Sequence, residues 1–311
     1  MADISASMVK ELREMTGAGM MDCKKALAET NGDMDAAVEY LRKNGMAKAE
    51  KKAGRIAAEG IVAANVSECG KVGVVVEVNS ETDFVAKNEK FQTYVAQVAE
   101  QATYTKATNI EEFMAEPWKL DESKTVKEEL ASQIAVIGEN MNIRRFERLY
   151  EENGFVMPYI HGAGRIGVLV QVETDVVNDE IKEAAKNVAM QIAAMYPKYV
   201  HQGEISDEYK NHEMEILKAQ AAADPANANK PENIIEKMLT GRLQKQMKEI
   251  CLLDQVYVKD GDLTVQKYVD GVAKANGANV VIKKFVRFET GEGLEKKEED
   301  FAAEVAKQMG Q

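Results

Sequence analysis

Cysteine is scarce in this 311-residue chain: Cys23, Cys69 and Cys251 are odd in number and widely spaced. They cannot build a disulfide framework, and they suit a reducing compartment and buried thiols. Long apolar runs are missing too. The longest, Val72–Val76 and Gly167–Val172, fall far short of the roughly 20 residues of a membrane span. The opening segment MADISASMVKELRE carries acidic residues and a helical pattern where a secretory signal would carry a basic region and an apolar core, so cytoplasmic residence is expected. Of three histidines, His161, His201 and His212, no two stand at a metal-ligand spacing, and no Cys-x-x-Cys completes a site. Neither a Gly-x-Ser-x-Gly sequence nor a phosphate loop occurs. Basic excess is also lacking. The net charge of -12 works against a broad nucleic-acid footprint and favours a protein partner. No nucleophile, base or metal cluster stands out, which leaves binding as the expected mode of action, with no cofactor or metal held by the chain.

Hydrophobic residues at 45% and charged residues at 30% describe an ordinary globular protein, and the length calls for two or three domains. Residues 1 to about 45 place apolar side chains at helical spacing in three short runs: Val9, Leu12 and Met15; Met21 and Leu27; Met34, Val38 and Leu41. Gly17-Ala18-Gly19 and Asn31-Gly32-Asp33 separate them, and Asp33 is placed to cap the third helix. The basic stretch from Lys43 to Arg55 reads as a solvated connecting helix or a linker. Period-two, β-branched segments follow at Ile61–Val66 and Val72–Val78 and predict a hairpin, after which a helical pattern runs through Phe91, Val95 and Val98. The same unit recurs: GVVVEVNSETDFV from Gly73 aligns with GVLVQVETDVV from Gly167, matching Glu81-Thr82-Asp83 to Glu173-Thr174-Asp175 across a two-residue gap. A weaker third echo begins at Val280, followed by a helix through Phe301 and Val305. From Asp207 to Leu253 two helical runs flank DPANANKP, with Ile235, Leu239, Leu243, Met247 and Cys251 at every fourth position, which predicts an antiparallel helical hairpin projecting from an α+β core.

Gly162-Ala163-Gly164-Arg165-Ile166-Gly167 satisfies the G-x-G-x-x-G pattern, but a strand follows where a dinucleotide fold needs a helix, so the glycines are assigned to a hairpin turn. His161 beside them is either a contact residue or a polar turn residue. Thr82-Asp83-Phe84-Val85 sits where a strand gives way to a helix. Thr82 or Asp83 can cap that helix, while Phe84 is either a core residue or a wedge aimed at a partner. In the alignment above Asp175 repeats Asp83, whereas Val176 replaces Phe84.

Six segments, in order, carry a resemblance: TGAGMMDCKKAL (16–27), KKAGRIAAEG (51–60), VNSETDFVAKNEKF (78–91), IGENMNIRRF (137–146), HGAGRIGVLV (161–170) and RFETGEGLEKKEEDFAAEV (287–305). Over nearly its whole length the chain resembles the elongation factor Ts family, nucleotide exchange factors of the translational GTPase elongation factor Tu. The resemblance implies a three-helix ubiquitin-associated-like module with its basic linker over 1–54, a duplicated core of antiparallel sheets and packed helices over 55–145 and 146–290, the second half interrupted by a helical hairpin (coiled-coil) arm over 206–252, and a C-terminal helix over 291–311. It further implies elongation factor Tu as partner; the charge and the short apolar runs already argue against direct nucleic-acid binding and against a membrane, and the assembly, a homodimer or 2:2 complex among the options, is left open by the sequence. Thr82, Asp83, Phe84 and Val85 would enter the GTPase beside its magnesium site, with Phe84 as the wedge, acting on magnesium and GDP or GTP bound to the partner. Arg13, Met20, Met21 and His161 would make further contacts. The competing class is an adaptor or RNA-associated translation factor without exchange activity.

Overall fold

The structure is a computed structural model and describes residues 4–227 and 230–295. Three helices open the chain: α1 (Ala6–Thr16), α2 (Met20–Glu29) and α3 (Met34–Lys52). Ser5 and Asp33 cap α1 and α3 by accepting from Met8 N (3.2 Å) and Ala36 N (3.0 Å), and the left-handed Gly17 ends α1. Val9, Leu12, Cys23, Ala26, Leu27 and Ala37 form their core, as the spacing predicts. The basic stretch beyond Arg42 is the second half of α3, and it packs on α7 (Val126–Ile137). At the crossing, a side chain on Gly45 would lie 3.8 Å from Ala131 O and Ala135 Cβ, while the cations stay at the edges, Arg42 paired with Glu128 at 3.2 Å.

The first core unit contains β1 (Glu59–Val66), β2 (Val72–Ser80), α4 (Asp83–Ala86), α5 (Glu89–Tyr104), α6 (Ile110–Ala115), the short hairpin β3 (Pro117–Trp118) and β4 (Asp121–Thr125), then α7 and β5 (Met141–Tyr150). Its antiparallel sheet has the order β1-β2-β5. The second unit runs β6 (Gly154–His161), β7 (Ile166–Thr174), α8 (Asp179–Met195), α9 (Asp207–Ala223), α10 (Glu232–Ile250), β8 (Val256–Tyr257), β9 (Asp260–Thr264), α11 (Val265–Asn276) and β10 (Val280–Glu289), with sheet order β10-β7-β6. Both central strands read as near-continuous valine runs because both faces are covered. Val74, Val76 and Val78 point to the helices of their own unit, as do Val168, Val170 and Val172 in the other. Between them, Val75 and Leu169 point into a third core shared by the two sheets, together with Val62, Leu149, Val156, Val286 and Phe288. The molecule is thus layered helix, sheet, sheet, helix.

Contact between the sheets rests on two equivalent glycines. A Cβ on Gly73 would stand 2.5 Å from Val156 Cγ1, and one on Gly167 would stand 2.4 Å from Val62 Cγ1 and 3.0 Å from Val75 Cγ2. Glu77 reinforces the join. Its fully buried carboxylate accepts from Arg144 Nη1 (3.0 Å), Arg145 Nε (2.6 Å) and Gly291 N (2.8 Å), the last just beyond β10 of the other sheet.

The duplication is deeper than the sequence suggests. Buried Gln101 on α5 donates to Pro117 O and accepts from Lys119 N, both at 2.9 Å; Gln191 on α8 repeats this with Val256 O (3.0 Å) and Val258 N (2.8 Å). Thr125 and Thr264 cap α7 and α11, and a bulge interrupts β5 at Arg144 and β10 at Lys283. Two sequence expectations change. The echo at Val280 is no third unit: β10 is the third strand of the second sheet and the counterpart of β5, and the helix expected through Phe301 and Val305 lies outside the described residues. The alignment of Asp83 with Asp175 is also out of register. Ser80 and Thr174 both end a central strand and donate a hydroxyl to the carbonyl two residues on (3.1 and 2.9 Å), while Asn88 and Asn178 cap the following helices. Asn88 lies eight positions beyond Ser80, Asn178 only four beyond Thr174. Glu81 therefore matches Asp175, Thr82 matches Val176, and Phe84 falls in extra chain that the second unit lacks.

Gly167→Ala should destabilise the protein by about 1–3 kcal/mol through overpacking. Gly241→Ala, inside α10 with open space around it, should stabilise by roughly 0.5–1 kcal/mol. Urea unfolding of the two variants checks both signs.

Candidate functional site

Strand β2 ends at Ser80, and the chain turns at once into the four-residue helix α4. Thr82 makes the turn. Its backbone is extended, its Oγ1 accepts from Val85 N at 3.3 Å as the helix cap, and the same hydroxyl donates to Glu139 Oε1 at 2.7 Å. Thr82 N donates to Glu139 Oε2 at 3.0 Å, so one carboxylate grips both groups of the threonine. One residue earlier, Glu81 Oε1 accepts from Asn140 N at 2.5 Å and faces Arg55 at 3.5 Å. Below the turn, Ala86 is buried and Val85 packs on the first unit's core.

Anchored this way, the loop directs Phe84 outward. Phe84 is 81% exposed, which excludes the core reading, since a core Phe would be sealed from water. Capping falls to Thr82, not Asp83. Asp83 is exposed and pairs with Lys87 at 2.7 Å, one turn on; this hydrogen bond holds its carboxyl below the usual carboxylate range. It neither touches the core nor holds Phe84, so its carboxylate remains presented at the surface beside the ring.

The other expected residues lie elsewhere in the fold. Arg13 is on α1, and Met20 and Met21, 59% and 75% exposed, open α2 behind the Gly19 turn. His161 ends β6, exposed, with Nδ1 3.0 Å from Tyr159 Oη. No hydrogen bond or ion pair among the described residues joins these three groups. The glycines after His161 form the expected hairpin turn: Gly164, at φ +95°, lies so close to β1 that a Cβ would come within 2.8 Å of Ile61. Among the described residues no cluster of acids, histidines and cysteines could hold a metal ion. Cys23 and Cys251 are buried as expected, but Cys69 is exposed in the β1–β2 turn.

A family model described as elongation factor TS matches residues 81–292, beginning at the anchored loop. The chain is 54% identical over 307 residues to elongation factor Ts of Clostridium perfringens (strain SM101), covering 99% of each chain. The chain belongs to the elongation factor Ts family. Elongation factors Ts of Clostridium botulinum (strain Eklund 17B), at 53% over 307 residues, and Clostridium kluyveri (strain NBRC 12016), at 52% over 306, match at nearly full length as well. Sequence reading missed Glu139 and Asn140, although both stand in the IGENMNIRRF segment that marks the family. The available signal was an acidic-amide pair just after a helix-ending glycine, Gly138, whose left-handed conformation aims the next residues at the neighbouring loop.

Phe84→Ala should leave the unfolding free energy within about 0.5 kcal/mol of the parent, because the ring is already in water. Thermal and urea unfolding of the free protein test this. Thiol chemistry gives a second check. The Ser67 hydroxyl beside Cys69 lowers its thiol pKa, whereas burial raises that of Cys23 and pushes Cys251 up to about 11. Iodoacetamide should alkylate Cys69 first and the other two only on unfolding, as read by peptide mass spectrometry.

Proposed function

We propose that this protein is the guanine nucleotide exchange factor of elongation factor Tu and acts by binding, without catalysing a reaction of its own. The observation that carries this reading is an exposed aromatic on a clamped loop in extra chain that only one of two repeated units possesses. Thr82, Asp83, Phe84 and Val85 enter beside the partner's magnesium and phosphate site. Phe84 is the wedge, and Asp83 presents a carboxylate near the metal or its water ligands. GTPases of this class hold their diphosphate through backbone amides and magnesium, so disturbing either loosens the nucleotide. The factor lowers nucleotide affinity by the same ratio by which nucleotide lowers the factor's affinity, and the supply of GTP sets the direction of exchange.

Magnitudes require more than the wedge. A thousandfold loosening takes about 4 kcal/mol, while burying one Phe side chain contributes roughly 1.5–3 kcal/mol. The balance comes from a spread interface that includes Arg13, Met20 and Met21 on the ubiquitin-associated-like module and His161 on the second unit. The working division is 1–54 for the module and 206–252 for the arm built on α9 and α10. The core halves expected over 55–145 and 146–290 divide instead after β5, at Tyr150, because that strand completes the first sheet. Of the helix expected over 291–311, residues 291–295 form turns and the rest lies outside the described residues. The arm is offered to the GTPase or to a second copy of the chain. No described helix is long and apolar enough to cross a membrane, which agrees with action in the cytoplasm beside the partner.

Release of fluorescent GDP from elongation factor Tu at saturating factor measures the activity. Phe84→Ala should slow it by roughly ten- to a hundredfold, the kinetic equivalent of the lost burial, with little loss of complex formation. An unchanged rate removes the wedge. Stable binding by the parent protein without faster release assigns the chain to the adaptor class instead.

A further inference from the structure

We propose that Glu139 is a positioning residue for exchange: its carboxylate holds the Thr82 loop so that Phe84 stands preformed in the attitude in which it enters the partner. The inference rests on the wedge reading above and deepens it.

The two units supply the comparison. Counting along the repeated helix, loop and strand, Gly138 matches Gly277, Asn140 matches Asn279, and Glu139 matches Ala278. The outer clamp exists in both units, with Asn140 N donating to Glu81 at 2.5 Å and Asn279 N donating to Asp175 at 2.8 Å. It belongs to the fold, because each sheet needs its central strand's exit tied to the entry of its third strand. The inner clamp exists in one unit only. Where the first unit has Thr82 bound twice by Glu139, the second has Val176 opposite Ala278, neither of which can make a side-chain hydrogen bond. Both residues of the inner clamp change together, in the half that carries the extra chain and the exposed ring. A purely structural clamp would be wanted in both.

Geometry explains the effect. Thr82 is the hinge between β2 and α4, and three groups set its position: the Ser80 hydroxyl on its carbonyl, its own cap to Val85 N, and the Glu139 carboxylate on its amide and hydroxyl. The first and second are local and move with the loop. Among the described residues only Glu139 makes a hydrogen bond to Thr82 itself from a distant part of the chain, and Gly138 next to it accepts from Lys52 at the end of α3. Accepting from Thr82 Oγ1–H also orients the hydroxyl so that its lone pair faces Val85 N, which keeps the first turn of a helix too short to hold itself. A loose hinge would leave Phe84 to be ordered on contact, which lowers the population of the competent loop and the rate with it.

The test is a double-mutant cycle in the full-length protein, reading fluorescent GDP release from elongation factor Tu at saturating factor, together with amide hydrogen exchange of the free chain. Glu139→Ala copies the residue that the fold already accepts at 278; Glu139→Gln, of nearly equal volume, replaces it in the cycle if the alanine variant does not fold. With Phe84 present, the substitution should slow release about tenfold, a loss of 1.4 kcal/mol. In the Phe84→Ala background it should slow release by less than about twofold, since positioning has nothing left to position. Exchange protection should fall at Thr82 and Val85 and persist in β2. If Phe84→Ala slows release and Glu139→Ala does not, the inference is overturned and the wedge stands. Equal losses in both backgrounds also overturn it and leave Glu139 a structural role. Release unaffected by Phe84→Ala removes the wedge reading and this inference with it.

Discussion

Two sheets can share one core here because each central strand carries a glycine where the other sheet crosses it. At Gly73 and Gly167 the space of a single Cβ is already taken by Val156 and by Val62. Those four positions are equivalent in pairs, so the crossing is symmetric: each unit offers a glycine and receives a valine. With the strands this close, Val75 and Leu169 reach across, and the helices are left to cover the outer faces. Any side chain at the crossing would push the layers apart and expose the shared core.

The same crossing sets where the exposed loop appears. Glu77 lies four residues along β2 from Gly73, and its carboxylate ties β5 and Gly291, two residues beyond β10, to one point. Burying a carboxylate is unfavourable unless its oxygens are well paired, and two arginines and a backbone amide meet that need. Gln171, its counterpart, donates to Tyr150 O at 2.9 Å and to Glu151 Oε2 at 3.0 Å. Three residues past Glu77 the strand ends, and the loop that follows inherits a rigid base. A ring ordered beforehand on such a base would lose little entropy in acting as the proposed wedge.

Duplication followed by divergence accounts for the difference between the halves. Capping threonines, bulges, buried glutamines and the outer clamp are common to both and maintain the layers. The additions are particular: the first unit lengthens the loop after its central strand and acquires Glu139, and the second receives α9 and α10 between α8 and β8. The repeated scaffold therefore presents two chemically different edges.

Local chemistry was legible in the sequence. Apolar spacing marked the three opening helices and α10, Asp33 announced its cap, the valine runs announced paired strands, and G-x-G-x-x-G read correctly as a turn, because each of these is decided within a few residues by backbone geometry and side-chain period. Family membership was legible too, since ordered motifs survive as words. The tertiary structure alone decided the register of the duplication, where two Glu-Thr-Asp strings proved to be a false match; the place of β10 as a third strand; the solvent exposure of Phe84; and the grip of Glu139 on Thr82, 57 positions away. Those outcomes depend on which groups the folded chain brings within hydrogen-bond reach, and identical letters in two loops carry no record of that distance.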